Sequence, residues 1–285
     1  MTVFDKRLTP ARADLAAAHL AGEVEAARFV EGHRMTVIVS EAALRRAPGA
    51  AAMLDTQALF GESVDVYEVS GDFAWGQLRS DGYVGYLPRA ALGERTGEAT
   101  HRVTALRSFA YPGPSIKLPP VHLLSMGSLI TAKGQEGPFL VTADGLYLWA
   151  SHLAPVASFA ADYVAIAERF VGTPYLWGGR TSLGLDCSGL VQLAMNAAGF
   201  ACPRDSDMQE SLGEAVAISD DLSRLERGDR VHWKGHVGIM TDGGHLLHAN
   251  GFHMQVVIEP LAEARSRIVS DGAGPITAIR RGPRR

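Results

Sequence analysis

The sequence predicts an α+β protein: a C-terminal domain of helices packed on an antiparallel sheet, preceded by two small β-barrels and an N-terminal helix. Three observations predict it. Between residues 36 and 150, short β-rich runs alternate with turns of Gly, Pro and Asp, the texture of small barrels. From about residue 156, two apolar helical patterns come first and strand-like runs follow, the order of an α+β domain. Residues 11–28 are rich in Ala and Glu, with Leu15, Leu20, Val24 and Ala27 at helical spacing before Gly32.

The totals bound the function. A chain of 285 residues fits two or three compact domains, and its hydrophobic fraction of 47% is that of a soluble globular protein. A net charge of −4 gives no electrostatic case for nucleic acid, and Arg280, Arg281, Arg284 and Arg285 read as a solvated tail. After Lys6 and Arg7 the apolar stretch is broken by Pro10, Arg12 and Asp14, then by His19, Glu23 and Glu25, unlike a secretory signal. No window approaches the length needed to span a bilayer. The expectation is a cytoplasmic protein with neither membrane nor nucleic-acid partner. Two cysteines, Cys187 and Cys202, make no disulfide scaffold and lack the close pairing of metal sites, so no cofactor or metal is expected. Nothing sets an oligomeric state.

In order along the chain, residues 1–34 read as a helical segment and 35–95 as the first barrel. Its strands are Thr36 to Val39, Ser63 to Val69, Ala74 to Leu78 and Tyr83 to Leu87, with turns at Pro48-Gly49, Gly61, Ser70-Gly71-Asp72 and Asp81-Gly82. A second barrel over 101–154 has Arg102 to Leu106, Ser128 to Thr131, Phe139 to Thr142 and Leu146 to Ala150. The shared layout is a loose repeat of about 55 residues. The last domain, 156–285, opens with Phe159, Tyr163, Ile166, Ala167, Phe170 and Val171 on one helical face. A second helix carries Leu190, Leu193, Ala194 and Ala197, with Gly199 as its C-terminal cap. Strands follow at Arg230 to Lys234, His236 to Met240, Leu246 to Asn250, Gln255 to Ile258 and Ile276 to Ile279.

Chemistry concentrates in this last domain. Cys187 sits where a glycine-flanked polar loop becomes an apolar helix, with Asp186 placed to act as N-cap. Unpaired N–H groups and the helix dipole there stabilise a thiolate and donate to an oxyanion. A thiol nucleophile needs a base, and the base an orienter. His236 and His248 lie on the two strands of one predicted hairpin. A three-residue loop Thr241-Asp242-Gly243, with Gly243 left-handed, sets Met240 opposite Gly244 and His236 opposite His248 on one face. A zinc site from Cys187, His236 and His248 lacks a clustered carboxylate or further Cys. His232, His245 and His253 read as surface groups or substrate neighbours.

The run Tyr175-Leu176-Trp177-Gly178-Gly179, then Asp186-Cys187-Ser188-Gly189-Leu190-Val191-Gln192, then Gly228-Asp229, Gly235-His236-Val237-Gly238-Ile239 and Leu247-His248-Ala249, resembles the NlpC-type bacterial cell-wall cysteine peptidases over residues 156–280. The upstream blocks resemble bacterial SH3-like barrels. The resemblance implies a papain-like domain that cleaves the γ-D-glutamyl–diamino acid (meso-diaminopimelate) bond of murein stem peptides. It implies Cys187 as nucleophile, His236 as base, His248 as orienter, and Tyr175 as the tyrosine beside the nucleophile. It also implies Asp186 and Ser188 as the pair holding the free amine of an N-terminal L-alanine, with Ser206 and Trp177 in the same substrate site. Glu62 and Tyr83 of the first barrel are the candidates for closing that site. The substrate implied is a free murein peptide, in cell-wall peptide recycling. An acyltransferase or another amidase on this scaffold, and a non-catalytic binder of wall peptides, remain alternatives.

Overall fold

The computed structural model describes residues 4–94, 97–219 and 222–282. The chain divides into two compact units between Val156 and Ala157.

The first unit is almost entirely β. Its larger sheet holds β1 (His33–Val37), β2 (Glu41–Arg45), β3 (Leu54–Leu59), β4 (Ser63–Ser70), β5 (Phe73–Leu78), β6 (Val84–Pro88) and β7 (Leu92–Gly93). The order is β3-β2-β6-β5-β4-β1-β7, with antiparallel neighbours. Alternate residues such as Val37, Leu44, Val64, Leu78 and Leu87 fill its core. A second set follows: β8 (His101–Val103), β9 (Arg107–Tyr111), β10 (His122–Ser125), β11 (Leu129–Ile130), β12 (Ala132–Glu136), β13 (Phe139–Thr142), β14 (Tyr147–Trp149) and β15 (Leu153–Pro155). These form two small sheets, β11-β8-β15 and β10-β9-β14-β13-β12, around Val103, Leu124, Ile130 and Leu148.

The N-terminal segment is not the helix its composition predicts. Ala16–Ala17 pairs in parallel with Phe29–Val30, and a single 3-10 turn spans Ala18–Leu20. Packing overrides propensity here. Leu15 is fully buried in a cluster with Trp75 and Val84. The Arg12 guanidinium lies 4.4 Å over the Trp75 ring and bonds the Tyr86 hydroxyl at 3.1 Å and Glu68 at 2.6 Å. An extended chain lets all these side chains reach the barrel.

The second unit is α+β. It contains α1 (Tyr163–Glu168), α2 (Cys187–Ala197), α3 (Ser206–Gln209), β16 (Glu214–Ala215), β17 (Asp229–Trp233), β18 (His236–Met240), β19 (His245–Asn250), β20 (Gln255–Pro260), α4 (Leu261–Ser270) and β21 (Ala278–Arg281). The sheet is antiparallel throughout, in the order β16-β21-β17-β18-β19-β20. α2 packs on α1 and on β18 and β19, burying Leu190, Val191, Ala194 and Met195. It ends in a Schellman motif: Gly199 is left-handed at φ 82°, Phe200 N–H donates to Met195 O at 3.0 Å and Gly199 N–H to Asn196 O at 3.0 Å.

The C-terminal arginines are less tail-like than expected. Arg280 and Arg281 belong to β21; Arg280 donates to Glu210 O at 2.6 Å and Arg281 chelates buried Asp229 at 2.9 and 3.0 Å. Arg284 and Arg285 lie outside the described residues. No helix among the described residues is long and apolar enough to cross a membrane.

Candidate active site

The loop before α2 and the first turn of that helix are built around one carboxylate. Asp186 caps α2: its Oδ1 accepts from Gly189 N–H at 2.7 Å, and its Oδ2 from Gly178 N–H at 2.9 Å. Two glycines allow the close approach. Gly178 is left-handed at φ 73°, and a Cβ on Gly189 would stand 2.2 Å from the Gly179 carbonyl oxygen. The loop therefore folds directly against the helix start and fixes Cys187 as its first residue.

Asp186 also receives a bidentate ion pair. Arg204, 1% exposed, donates Nη2 to Oδ2 at 2.6 Å and Nη1 to Oδ1 at 2.9 Å. Its Nη1 also reaches Ser188 Oγ at 2.9 Å, and that hydroxyl donates to Asp186 Oδ1 at 3.3 Å. The sequence reading gave Asp186 a substrate ammonium as counter-ion; the chain supplies its own. Nothing in the sequence spacing points from Arg204 to Asp186.

Cys187 is 7% exposed and free. Burial, then the Asp186 charge, pushes its thiol up to about 12, while the amides of Val237 and Ser188 and the charge of Arg204 act in the opposite sense. The Val237 amide places the sulfur beside β18, at the residue following His236. Tyr175 is held by its own amide, which donates to Met254 O at 2.9 Å. Burial and the neighbouring Cys187 and Asp186 raise the Tyr175 hydroxyl, so that side chain shares the sulfur's surroundings.

The two histidines meet. His236 Nε2 lies 2.7 Å from His248 Nδ1, with ring centroids 5.0 Å apart. The hairpin register differs from expectation: Met240 pairs with Leu246, not Gly244, and Ile239 with Leu247. The turn is Asp242-Gly243-Gly244, closed by Thr241 N–H to His245 O at 3.0 Å. Asp242 Oδ1 accepts from Gly244 N–H at 2.7 Å and His245 N–H at 2.8 Å, and this side-chain turn removes the need for a left-handed Gly243. Extending that register sets His236 opposite Asn250 and one diagonal step from His248. A slip of two residues keeps both rings on one face.

A carboxylate joins them, which the sequence reading had not found. Glu259, at the end of β20, stands with Oε1 2.7 Å from His248 Nε2. Arg267 of α4 donates to both its oxygens, Nη1 to Oε2 at 2.9 Å and Nη2 to Oε1. Burial lowers both histidines, His236 to about 3, aided there by the charge of the neighbouring ring. Burial raises Glu259, but its bonds from His248 and Arg267 prevail and hold it at about 2.

The other expected residues lie as follows. Ser206 opens α3, half-buried, and Trp177 projects from the loop at 61% exposure. Of the two readings for His232, burial removes the surface group: it is fully buried in β17, neither ring nitrogen bonded within the described residues, and burial followed by Arg230 lowers it to about 3. His245 is exposed on Asp242, and half-buried His253 contacts Asn250. In the first unit, Glu62 is buried and accepts from Leu59 N–H at 2.7 Å, and Tyr83 sits in the barrel core. Among the described residues no group of three His, Cys, Asp or Glu is arranged to hold a metal ion.

Residues 172–269 match the NlpC/P60 family, and residues 44–92 match the bacterial dipeptidyl-peptidase SH3 domain. Over 241 residues, 73% of this chain and 71% of the relative, the sequence is 29% identical to a gamma-D-glutamyl-L-lysine dipeptidyl-peptidase of Bacillus cereus. The protein of that name from Bacillus subtilis is 28% identical over 233 residues, 74% of this chain and 77% of its own. The solved structure of an NlpC/P60 family protein from Bacillus cereus shares the fold, with a TM-score of 0.72 at 22% identity over 87% of this chain and 99% of that one. A cysteine at a capped helix start near the Val237 amide, a pair of bonded histidines and a segment matching that family make this chain a cysteine peptidase with an NlpC/P60 domain that follows a bacterial SH3 domain in sequence.

Proposed function

We propose that this peptidase hydrolyses the bond between γ-D-glutamate and a diamino acid in short cell-wall stem peptides bearing a free N-terminal L-alanine, and that it serves recycling of such peptides in the cytoplasm. The observation that carries the reading is a buried thiol at the start of α2, near the Val237 amide of β18, together with two hydrogen-bonded imidazoles on β18 and β19. The names of the two Bacillus relatives supply the substrate class. Both cysteines being free suits a reducing compartment.

In this mechanism the Cys187 sulfur attacks the γ-carbonyl carbon of D-glutamate. Burial disfavours a lone thiolate and a lone imidazolium alike, so Cys187 and His236 hold one proton between them. His236 bonds His248 through Nε2, and its Nδ1 is the nitrogen that takes the thiol proton. That proton passes to the amine of the diamino acid as the C–N bond breaks. Water, deprotonated by His236, then cleaves the thioester and restores the thiol. Acid–base help of this kind contributes about 100- to 10,000-fold. Tyr175 lies beside the sulfur and assists the oxyanion. Trp177 and Ser206 line the substrate site. Asp186 and Ser188, which share buried Arg204 as a partner, hold the substrate ammonium.

The test is incubation with L-Ala-γ-D-Glu-L-Lys and its meso-diaminopimelate counterpart, each free and N-acetylated, with the released diamino acid measured. Release from the free peptides alone supports the reading. Equal cleavage of acetylated peptides removes the ammonium site, and undiminished turnover by Cys187→Ala removes the mechanism.

A further inference from the structure

We propose that Glu259 is a positioning residue that fixes the tautomer of His248 and, through it, of His236. This deepens the mechanism above and rests on His236 acting as the base. Glu259 Oε1 is 2.7 Å from His248 Nε2, and Arg267 grips both carboxylate oxygens. An ionised carboxylate at that distance needs a proton between itself and the nitrogen, so His248 carries its hydrogen on Nε2. His248 Nδ1 then presents a lone pair. It faces His236 Nε2 at 2.7 Å, which must therefore be the protonated nitrogen of that ring. His236 Nδ1 is left as a lone pair, the form a base needs. One carboxylate, two rings away from the sulfur, thus decides whether the base can accept a proton.

The site contains the competitor that makes this choice necessary. Asn250 Nδ2 lies 3.0 Å from the same His248 Nε2. Its amide cannot turn round cheaply, because Asn250 Oδ1 accepts from the His253 backbone N–H at 2.8 Å. The Nδ2 group is therefore a donor aimed at Nε2. Were it the only partner, Nε2 would carry the lone pair, His248 Nδ1 the proton, and His236 Nδ1 the proton in turn. That arrangement disables the base. The charged acceptor outcompetes the neutral donor, since a charge-assisted bond is about twice as strong. The titratable and charged groups facing the pair are Glu259 on β20, Arg267 on α4, His253 after β19 and His232 on β17.

The test reads tautomers directly. In protein labelled with 15N-histidine at neutral pH, the shifts of His236 and His248 are expected to report Nε2–H for both rings; Nδ1–H at His248 in the unaltered protein overturns the proposal. The double variant Glu259→Ala/Arg267→Met, which leaves no orphaned guanidinium, is expected to switch both rings to Nδ1–H and lower kcat about 100-fold with KM little changed. Adding Asn250→Asp restores an acceptor beside Nε2 and is expected to return the Nε2–H signals and about 10-fold of the loss. A purely structural role predicts unchanged tautomers and no rescue, and that result also overturns it. Cys187→Ala separates the two claims: if it is inactive while the tautomers ignore Glu259, the peptidase mechanism stands and this inference alone fails.

Discussion

Arg204 and Asp186, the residue before the nucleophile, form a two-bonded ion pair at 2.6 and 2.9 Å, both side chains withdrawn from solvent. The pair joins the segment before α3 to the start of α2. Removing one partner strands the other as a buried charge. Arg204→Met is therefore expected to destabilise the protein by about 3–5 kcal/mol. Arg204→Met with Asp186→Asn is expected to recover much of that, since Asn still caps the helix. Urea unfolding of the three proteins checks this. An Arg204→Met stability within about 1 kcal/mol of the parent would show that the pair carries no such weight.

The histidines are expected to differ in degree. His236→Ala loses the base and should lower kcat about 1,000-fold, whereas His248→Ala loses the orienter and should lower it less, about 10- to 100-fold. Steady-state rates on a murein tripeptide distinguish them. A larger loss at His248 than at His236 reverses the assignment.

Gly189 tests the loop. A methyl group there meets the Gly179 carbonyl oxygen at 2.2 Å, a backbone atom that cannot swing aside. Gly189→Ala is expected to destabilise by about 1–3 kcal/mol and to reduce activity by moving Cys187. Unchanged unfolding and kinetics would mean that the loop yields freely.

Acid stability follows from buried imidazoles. His232 is held neutral, at about 3, by burial and the charge of Arg230. For a base with a depressed native value, the unfolded chain binds the proton first, so stability is lost as pH falls below about 6.5 toward that native value. Between pH 8 and 5 this group alone removes about 2 kcal/mol. His232→Phe is expected to gain that amount at pH 5 relative to its effect at pH 8. Equal shifts at the two values would contradict it.

How much of this was readable beforehand follows the range of the interactions. Asp186 as cap, Cys187 at the helix start and Gly199 past its end are set by neighbours in sequence, and short-range signals found them. The side of the hairpin carrying both histidines followed from alternation, but its register turned on one Asp242 side-chain turn that alternation does not encode. β2 and β3 escaped notice because each sets a single fully buried leucine, Leu44 or Leu59, among alanines and polar residues rather than β-branched or aromatic ones. α4 buries only Leu261 and Ala264, too few for a periodic signal. Glu259 and Arg204 could be recognised only once distant segments met.

Pro260 separates Glu259 from the helix that bears Arg267, and that helix packs on the sheet through buried Leu261 and Ala264, with Ile268 beside them. The proton arrangement of the histidine pair is thereby tied to the docking of a neighbouring helix. A change that loosens this helix would quiet the peptidase while leaving its sulfur, its cleft and its fold in place.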